Sequence, residues 1–205
     1  MKDVLKEHWE AVYETKSAES VSWFEETPAV SLDLISEFYR GKGGVIDIGG
    51  GASRLVDALL DKGYAPVAVL DLSANALGVA KTRLGDRAKR IEWIIADVTR
   101  WHPAHRYDVW HDRAAFHFLI DAASQHAYAN TMRAALNPGG VAIIGTFAPD
   151  GPERCSGLPV SRHNSASIAK VLGGDFEQIG ERRHAHLTPG GAIQQFQFSM
   201  FRFRD

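Results

Sequence analysis

Apolar side chains recur every three or four positions along the first forty residues; beyond them they gather into short runs separated by helical stretches. Val4, Leu5, His8, Trp9, Val12 and Tyr13 predict an amphipathic helix ending near Thr15. A polar loop holding Val21, Trp23 and Phe24 leads to Thr27 and Pro28, read as the N-cap and first-turn proline of a second helix that carries Val30, Leu32, Leu34, Ile35 and Phe38. Gly41, Gly43 and Gly44 end that helix. The pattern then alternates: strands at 45–48, 67–70, 91–95, 107–111 and 141–147, with helices at 54–62, 75–84 and 124–136 between them. Such alternation predicts a parallel sheet covered on both faces. After a helix at 165–172, two strand-like runs at 176–186 and 192–203 meet at Pro189, Gly190 and Gly191, which reads as an antiparallel hairpin. One domain is expected, with residues 1–40 as a helical cap and residues 41–205 as the core.

The bulk numbers narrow the possibilities. The chain has 205 residues, 45% hydrophobic and 23% charged, with a net charge of -2, so it carries no overall field that would gather nucleic acid or an anionic membrane. The apolar runs are strand-sized, and Met1 to Glu10 is interrupted by Asp3, Lys6 and Glu7, so neither a membrane span nor an export signal is expected. Cys155 is the only cysteine, in keeping with a reducing, cytoplasmic setting. Nothing in the sequence fixes an oligomeric state.

Candidate chemistry begins at the first strand end, where Asp47, Ile48, Gly49, Gly50, Gly51, Ala52 and Ser53 let backbone approach a ligand and expose a helix N-terminus. Asp71 falls 24 residues after Asp47 at the next strand end, where it can accept from both hydroxyls of a ribose or simply cap the following helix. Asp97 ends the third strand and can meet an adenine amino group or serve a turn. All three sit on one sheet edge, the crevice where open α/β sheets bind ligands. A dinucleotide dehydrogenase would place a third glycine where this chain has Arg54.

Together with Leu136, Asn137, Pro138, Gly139 and Gly140 before a hydrophobic strand, these residues resemble class I S-adenosylmethionine-dependent methyltransferases. Two further stretches, around His8, Trp9, Tyr13, Ser22, Trp23 and Phe24 and from His111 to Leu119, are similar to a bacterial subgroup near the thiopurine and protein-lysine methyltransferases. The resemblance implies a doubly wound, seven-stranded Rossmann-like sheet with an antiparallel last strand. It also implies a cofactor, S-adenosylmethionine, leaving as S-adenosylhomocysteine. Its binding set is Gly49 and Gly51 for the methionine part, Asp71 and Leu72 for the ribose, and Asp97 and Val98 for the adenine. Asp47, Ser53 and Asp112 are placed around the loop, with Trp9, Tyr13 and Trp23 from an N-terminal lid.

In-line methyl transfer needs mainly positioning, and a base only where the acceptor keeps its proton. Asp112, Arg113 and His117 fall on the acceptor side, and each has a structural alternative: Asp112 and Arg113 pairing with each other or with the chain, His117 packing beside Phe116 and Phe118. Cys155 sits in a loop that shapes the acceptor side. A metal is not expected: His184 and His186 share one face of a strand, and two ligands are too few. The expected acceptor is a small molecule, with a protein lysine as the second class and a non-catalytic S-adenosylmethionine-binding regulator as the alternative.

Overall fold

The computed structural model describes residues 2–204; Met1 and Asp205, the ends of the two segments expected above, lie outside. Six helices and nine strands are arranged in the order α1 (Lys2–Thr15), α2 (Ala29–Phe38), β1 (Val45–Ile48), α3 (Leu55–Asp61), β2 (Val67–Asp71), α4 (Ala74–Leu84), β3 (Ile91–Ile95), β4 (Tyr107–Arg113), α5 (Ala122–Ala135), β5 (Leu136–Phe147), β6 (Arg154–Cys155), β7 (Leu158–Pro159), α6 (Ser165–Leu172), β8 (Phe176–Leu187) and β9 (Ile193–Phe203). The main sheet runs β3-β2-β1-β4-β5-β9-β8, with β9 antiparallel to both its neighbours. Six strands therefore point one way and the last in sequence points the other. No helix among the described residues is long and apolar enough to cross a membrane.

Strand periodicity decides which helices cover which face. In β1 the buried Val45 faces one layer, with Leu34 and Ile35 of α2 and Leu59 of α3, while Ile46 and Ile48 face the other, with Tyr128 and Met132 of α5 and Ile168 of α6. A strand apolar on both faces is what a sheet covered on both sides demands. The chain reverses winding direction between β1 and β4, which pair in parallel, and this opens a crevice at their carboxyl ends.

Three local features depart from expectation. Pro28, not Thr27, occupies the N-cap of α2, and no side chain caps it; Thr27 lies one residue too early. β5 begins at Leu136, which pairs with Tyr107 before the register shifts to Val109 opposite Val141. The glycine-containing turn is thus a bulge within the strand, where Asn137 donates to Asp108 at 2.9 Å and Gly139 has φ +77°. The short β6–β7 hairpin was not foreseen.

Candidate functional site

The ends of β1, β2, β3 and β4 border a cavity of 340 Å³, within the roughly 300–1,000 Å³ of ligand sites. Gly49 leaves β1 with φ +66°, and its N–H donates to the carbonyl of Leu70 at 2.7 Å. A Cβ on Gly49 would stand 2.7 Å from that of Ala115, so only glycine lets the loop after β4 close on it. Gly51 does not reach the cavity wall. It is a spacer: a Cβ there would meet Asp71 Oδ2 at 3.0 Å and the Tyr13 hydroxyl at 3.4 Å.

Asp71 and Leu72 line the cavity after β2, and Asp97 and Val98 line it after β3. Asp71 Oδ1 accepts from Ser73 N at 2.8 Å. Withdrawal from water, with Asp47 and Glu10 nearby, pushes its carboxyl up to about 7. Asp97 Oδ1 accepts from the Thr99 amide at 2.9 Å, which sets the turn beneath the far end. Trp9, Tyr13 and Trp23 close the opposite wall: Trp9 meets Trp23 and Phe118 edge to face at 5.6 and 5.1 Å, and Trp23 Nε1 donates to the Tyr13 hydroxyl at 3.2 Å.

Helix α1 is fastened by a residue that periodicity alone does not single out. Glu10 accepts from Ser73 Oγ at 2.8 Å, Ala74 N at 2.8 Å and Asn75 N at 2.9 Å, so a carboxylate from α1 satisfies the N-terminal amides of α4. At the other rim His8 Nε2 meets Ser156 Oγ at 3.1 Å, in the turn of the β6–β7 hairpin. α1 therefore bridges the cavity from the β2–α4 turn to that hairpin.

Beneath the glycine loop runs a buried chain: Asp47 Oδ1 to His111 Nδ1 at 2.7 Å, and His111 Nε2 to Ser31 Oγ at 2.9 Å. The order Ser–His–Asp is that of a nucleophilic triad, but Ser31 is 1% exposed and the adjoining void is only 40 Å³. The Gly49 and Gly50 amides both point to the Leu70 carbonyl, so they present no oxyanion site. The chain is a strut tying α2, β1 and β4. Asp47 and Ser53 border this smaller void and not the cavity.

The three acceptor-side candidates separate. Asp112 is fully buried; it accepts from the amides of Ala115 and Phe116 and from Tyr128 Oη at 2.7 Å, and it holds the turn where Ala114 takes φ +71°. Burial outweighs those donors and raises its carboxyl to about 6. Of the structural alternatives Asp112 takes pairing with the chain, not with Arg113, and it has no place in the cavity wall. His117 is likewise sealed, packed edge to face on Phe118 at 4.5 Å and beside Phe147 at 4.7 Å, with Nδ1 accepting from Phe147 N at 3.4 Å. Burial, then His163 and Arg113, lower its pKa to about 3. It stays neutral behind the wall, so the packing alternative describes it.

This gives a test. His117 is depressed in the folded state relative to about 6.5 in an unfolded chain, so its stabilisation is complete above pH 6.5 and is lost as pH falls toward 3, by up to about 1.4 kcal/mol per pH unit. Denaturant titrations of wild type and His117→Leu at pH 7 and 5 should show the variant losing less stability on acidification. Equal losses would contradict a neutral, buried imidazole.

Arg113 alone of the three lines the cavity. Its Nη1 donates to the Trp23 carbonyl at 2.8 Å, its Nη2 lies 3.2 Å from Glu25 Oε1, and its guanidinium covers the Phe196 ring at 5.0 Å. Nε and Nη2 are buried with no hydrogen-bond partner among the described residues. Cys155 also lines the cavity, where burial pushes its thiol up to about 12 and leaves it un-ionised.

Residues 45–140 match the family described as Methyltransferase domain. No curated sequence matches. Among solved structures, a SAM-dependent methyltransferase from Anabaena variabilis aligns over 98% of this chain and 94% of its own at TM-score 0.78 and 15% identity. The N-methyltransferase NodS from Bradyrhizobium japonicum, bound to S-adenosylhomocysteine, aligns over 96% and 98% at 0.71 and 16% identity. The 1,6-didemethyltoxoflavin-N1-methyltransferase of Burkholderia thailandensis, holding 1,6-didemethyltoxoflavin and S-adenosylhomocysteine, aligns over 100% and 89% at 0.73 and 20% identity. The sequence match stops short of residues 8–24, which carried part of the subgroup resemblance.

Proposed function

We propose that this chain, whose residues 45–140 match a methyltransferase domain, is an S-adenosylmethionine-dependent methyltransferase of class I and methylates a small, largely apolar molecule in the cavity beneath α1. The observation that carries this reading is the make-up of that one cavity. It runs from the carboxylates of Asp71 and Asp97 to a wall of Phe118, Leu119, Ile120, Leu158 and Pro159, with Arg113 as the cation between. In the proposed pose Asp71 accepts from the ribose, Asp97 and the Val98 amide meet the adenine, and Gly49 passes beneath the methionine part. Arg113, which lines the cavity while pairing with Glu25, sets positive charge at the end that takes the methionine carboxylate. The sulfonium methyl then points toward the apolar wall, under Trp9, where aromatic faces favour the positive charge of the sulfonium and exclude water.

Neither Asp112 nor His117 faces that wall, both being sealed behind it, and Asp121, which lines the cavity, is engaged as the N-cap of α5, accepting from Ser124 N at 2.8 Å. The acceptor that fits is one whose nucleophile carries a lone pair at neutral pH, such as a ring nitrogen, and the acceleration is positional. The NodS and didemethyltoxoflavin enzymes act, by their names, on nitrogen, and the latter on a small molecule. Residues 1–40 act in this reading as the cap over the cofactor.

The test is to incubate the protein with methyl-labelled S-adenosylmethionine and two fractions of a cell extract, an ultrafiltrate and the retained protein. Label is expected in the ultrafiltrate, and Leu158→Trp should reduce it at least about tenfold while S-adenosylhomocysteine binding changes less than about twofold. Label confined to protein would move the acceptor to side chains. Tight cofactor binding with no label in either fraction would favour a binding module.

A further inference from the structure

The two histidines of β8 lack, in sequence, a third ligand, and the fold supplies one from 159 residues earlier. Glu25, in the loop before α2, points Oε1 at His186 Nδ1 across 3.5 Å and at His184 Nε2 across 3.7 Å, and one ligand atom from each residue lies within 4.8 Å of the other two. Both carboxylate–imidazole separations exceed ordinary hydrogen bonds. They match the separation of about 3.4 Å between neighbouring ligands around a tetrahedral ion with bonds of about 2.1 Å.

The protonation pattern points the same way. His186 Nε2 lies 2.8 Å from the Ser22 carbonyl, which only accepts, so Nε2 carries a hydrogen, and in the neutral ring Nδ1 turns its lone pair to Glu25. A ligating histidine commonly has its second nitrogen donating to a backbone carbonyl in this way. A lone pair facing a carboxylate oxygen calls for a cation between them. Arg113 balances the carboxylate from another side and does not stand between the two: Nη2 pairs with Glu25 Oε1 at 3.2 Å without an aligned hydrogen bond, while Nη1 is directed to Trp23 O. The His184 side chain is 29% exposed, which gives an ion a way in.

We propose that Glu25, His184 and His186 bind a divalent transition ion of the zinc type, with water as its fourth ligand, and that the ion clips the loop bearing Trp23 and Glu25 onto the edge strand β8. Two imidazoles with one carboxylate select zinc, cobalt or copper over magnesium or calcium. The clip is independent of the acceptor's identity and adjoins the cavity wall, since Glu25 also pairs with Arg113 at 3.2 Å. It acts on the cavity through Trp23, two residues from Glu25.

The test uses the full chain after chelator treatment. One equivalent of Co2+ should give the intense visible bands of a four-coordinate ion, and Zn2+ should bleach them. Zn2+ should also raise the melting temperature where Mg2+ does not. His184→Gln, at a partly exposed position, and Glu25→Gln should each weaken Zn2+ binding by at least about 100-fold, the upper end of what losing a supporting group alone does. Retained S-adenosylhomocysteine binding by His184→Gln shows that this variant is folded. No Co2+ bands in folded wild type, or bands and a thermal shift that survive in both variants, would overturn the proposal.

Discussion

Asp71→Asn should weaken S-adenosylhomocysteine binding about 100-fold, roughly 3 kcal/mol, because the proposed pose gives this carboxylate two charge-assisted hydrogen bonds from the ribose at about 1.5–3 kcal/mol each, part of which an amide oxygen retains. A second signature separates this from general damage. Burial, Asp47 and Glu10 push the carboxyl of Asp71 up to about 7 in the unliganded protein. The hydroxyl donors of a ribose favour its ionised form, so binding releases a proton wherever Asp71 is protonated beforehand. Affinity measured calorimetrically should therefore fall as pH drops from 8 to 6 in wild type and stay nearly flat in Asp71→Asn. A wild type with pH-independent affinity, or a variant that binds like wild type, would remove Asp71 from the ribose.

His111→Ala is the substitution expected to harm the fold most. It leaves the Asp47 carboxylate, 3% exposed, without the imidazole 2.7 Å away, and it frees Ser31 from the other side. Stranding a buried charge in this way costs about 3–5 kcal/mol, a large part of the roughly 5–15 kcal/mol by which a domain is stable. Because the damage arises from the unpaired charge, Asp47→Ala/His111→Ala should be more stable than His111→Ala alone in urea titrations. A double variant at or below the single one would show that packing of the ring, not pairing, is what matters.

The edge of the cavity formed by β1, β2 and β3 was legible in the sequence, and the reason is geometric. In a parallel sheet wound on both faces every strand ends on the same edge, so the ends of β1, β2 and β3 could be located from runs of valine and isoleucine, and Gly49, Asp71 and Asp97 followed. The glycine turn after Leu136 was equally visible, although it turned out to be a bulge that joins β4 to β5 well away from the cavity. Side-chain direction was harder. Asp112 lies inside β4, one residue beyond the expected strand end at His111, on the buried face it shares with Trp110, and the short helix Phe116–Phe118 carries His117 inward. One signal was available: an aspartate three and four residues before the Ala115 and Phe116 amides is placed as a cap. Contacts between distant segments had no such signal. Glu10 on α4, Glu25 beside β8 and Arg113 on the Trp23 carbonyl each join residues more than sixty positions apart, and no local periodicity encodes them.

The grip of Glu10 on α4 also bears on the tempo of turnover. The amides it receives belong to the turn that carries Asp71, so in the proposed pose the helix above the cofactor and the carboxylate beneath its ribose share one short piece of backbone. Swinging α1 aside to let spent nucleoside leave would break three hydrogen bonds to a carboxylate and bare the positive end of α4 next to Asp71. Product residence time is then tied to one glutamate. A firmer hold keeps the methyl donor dry for longer, at the expense of slower exchange between cycles.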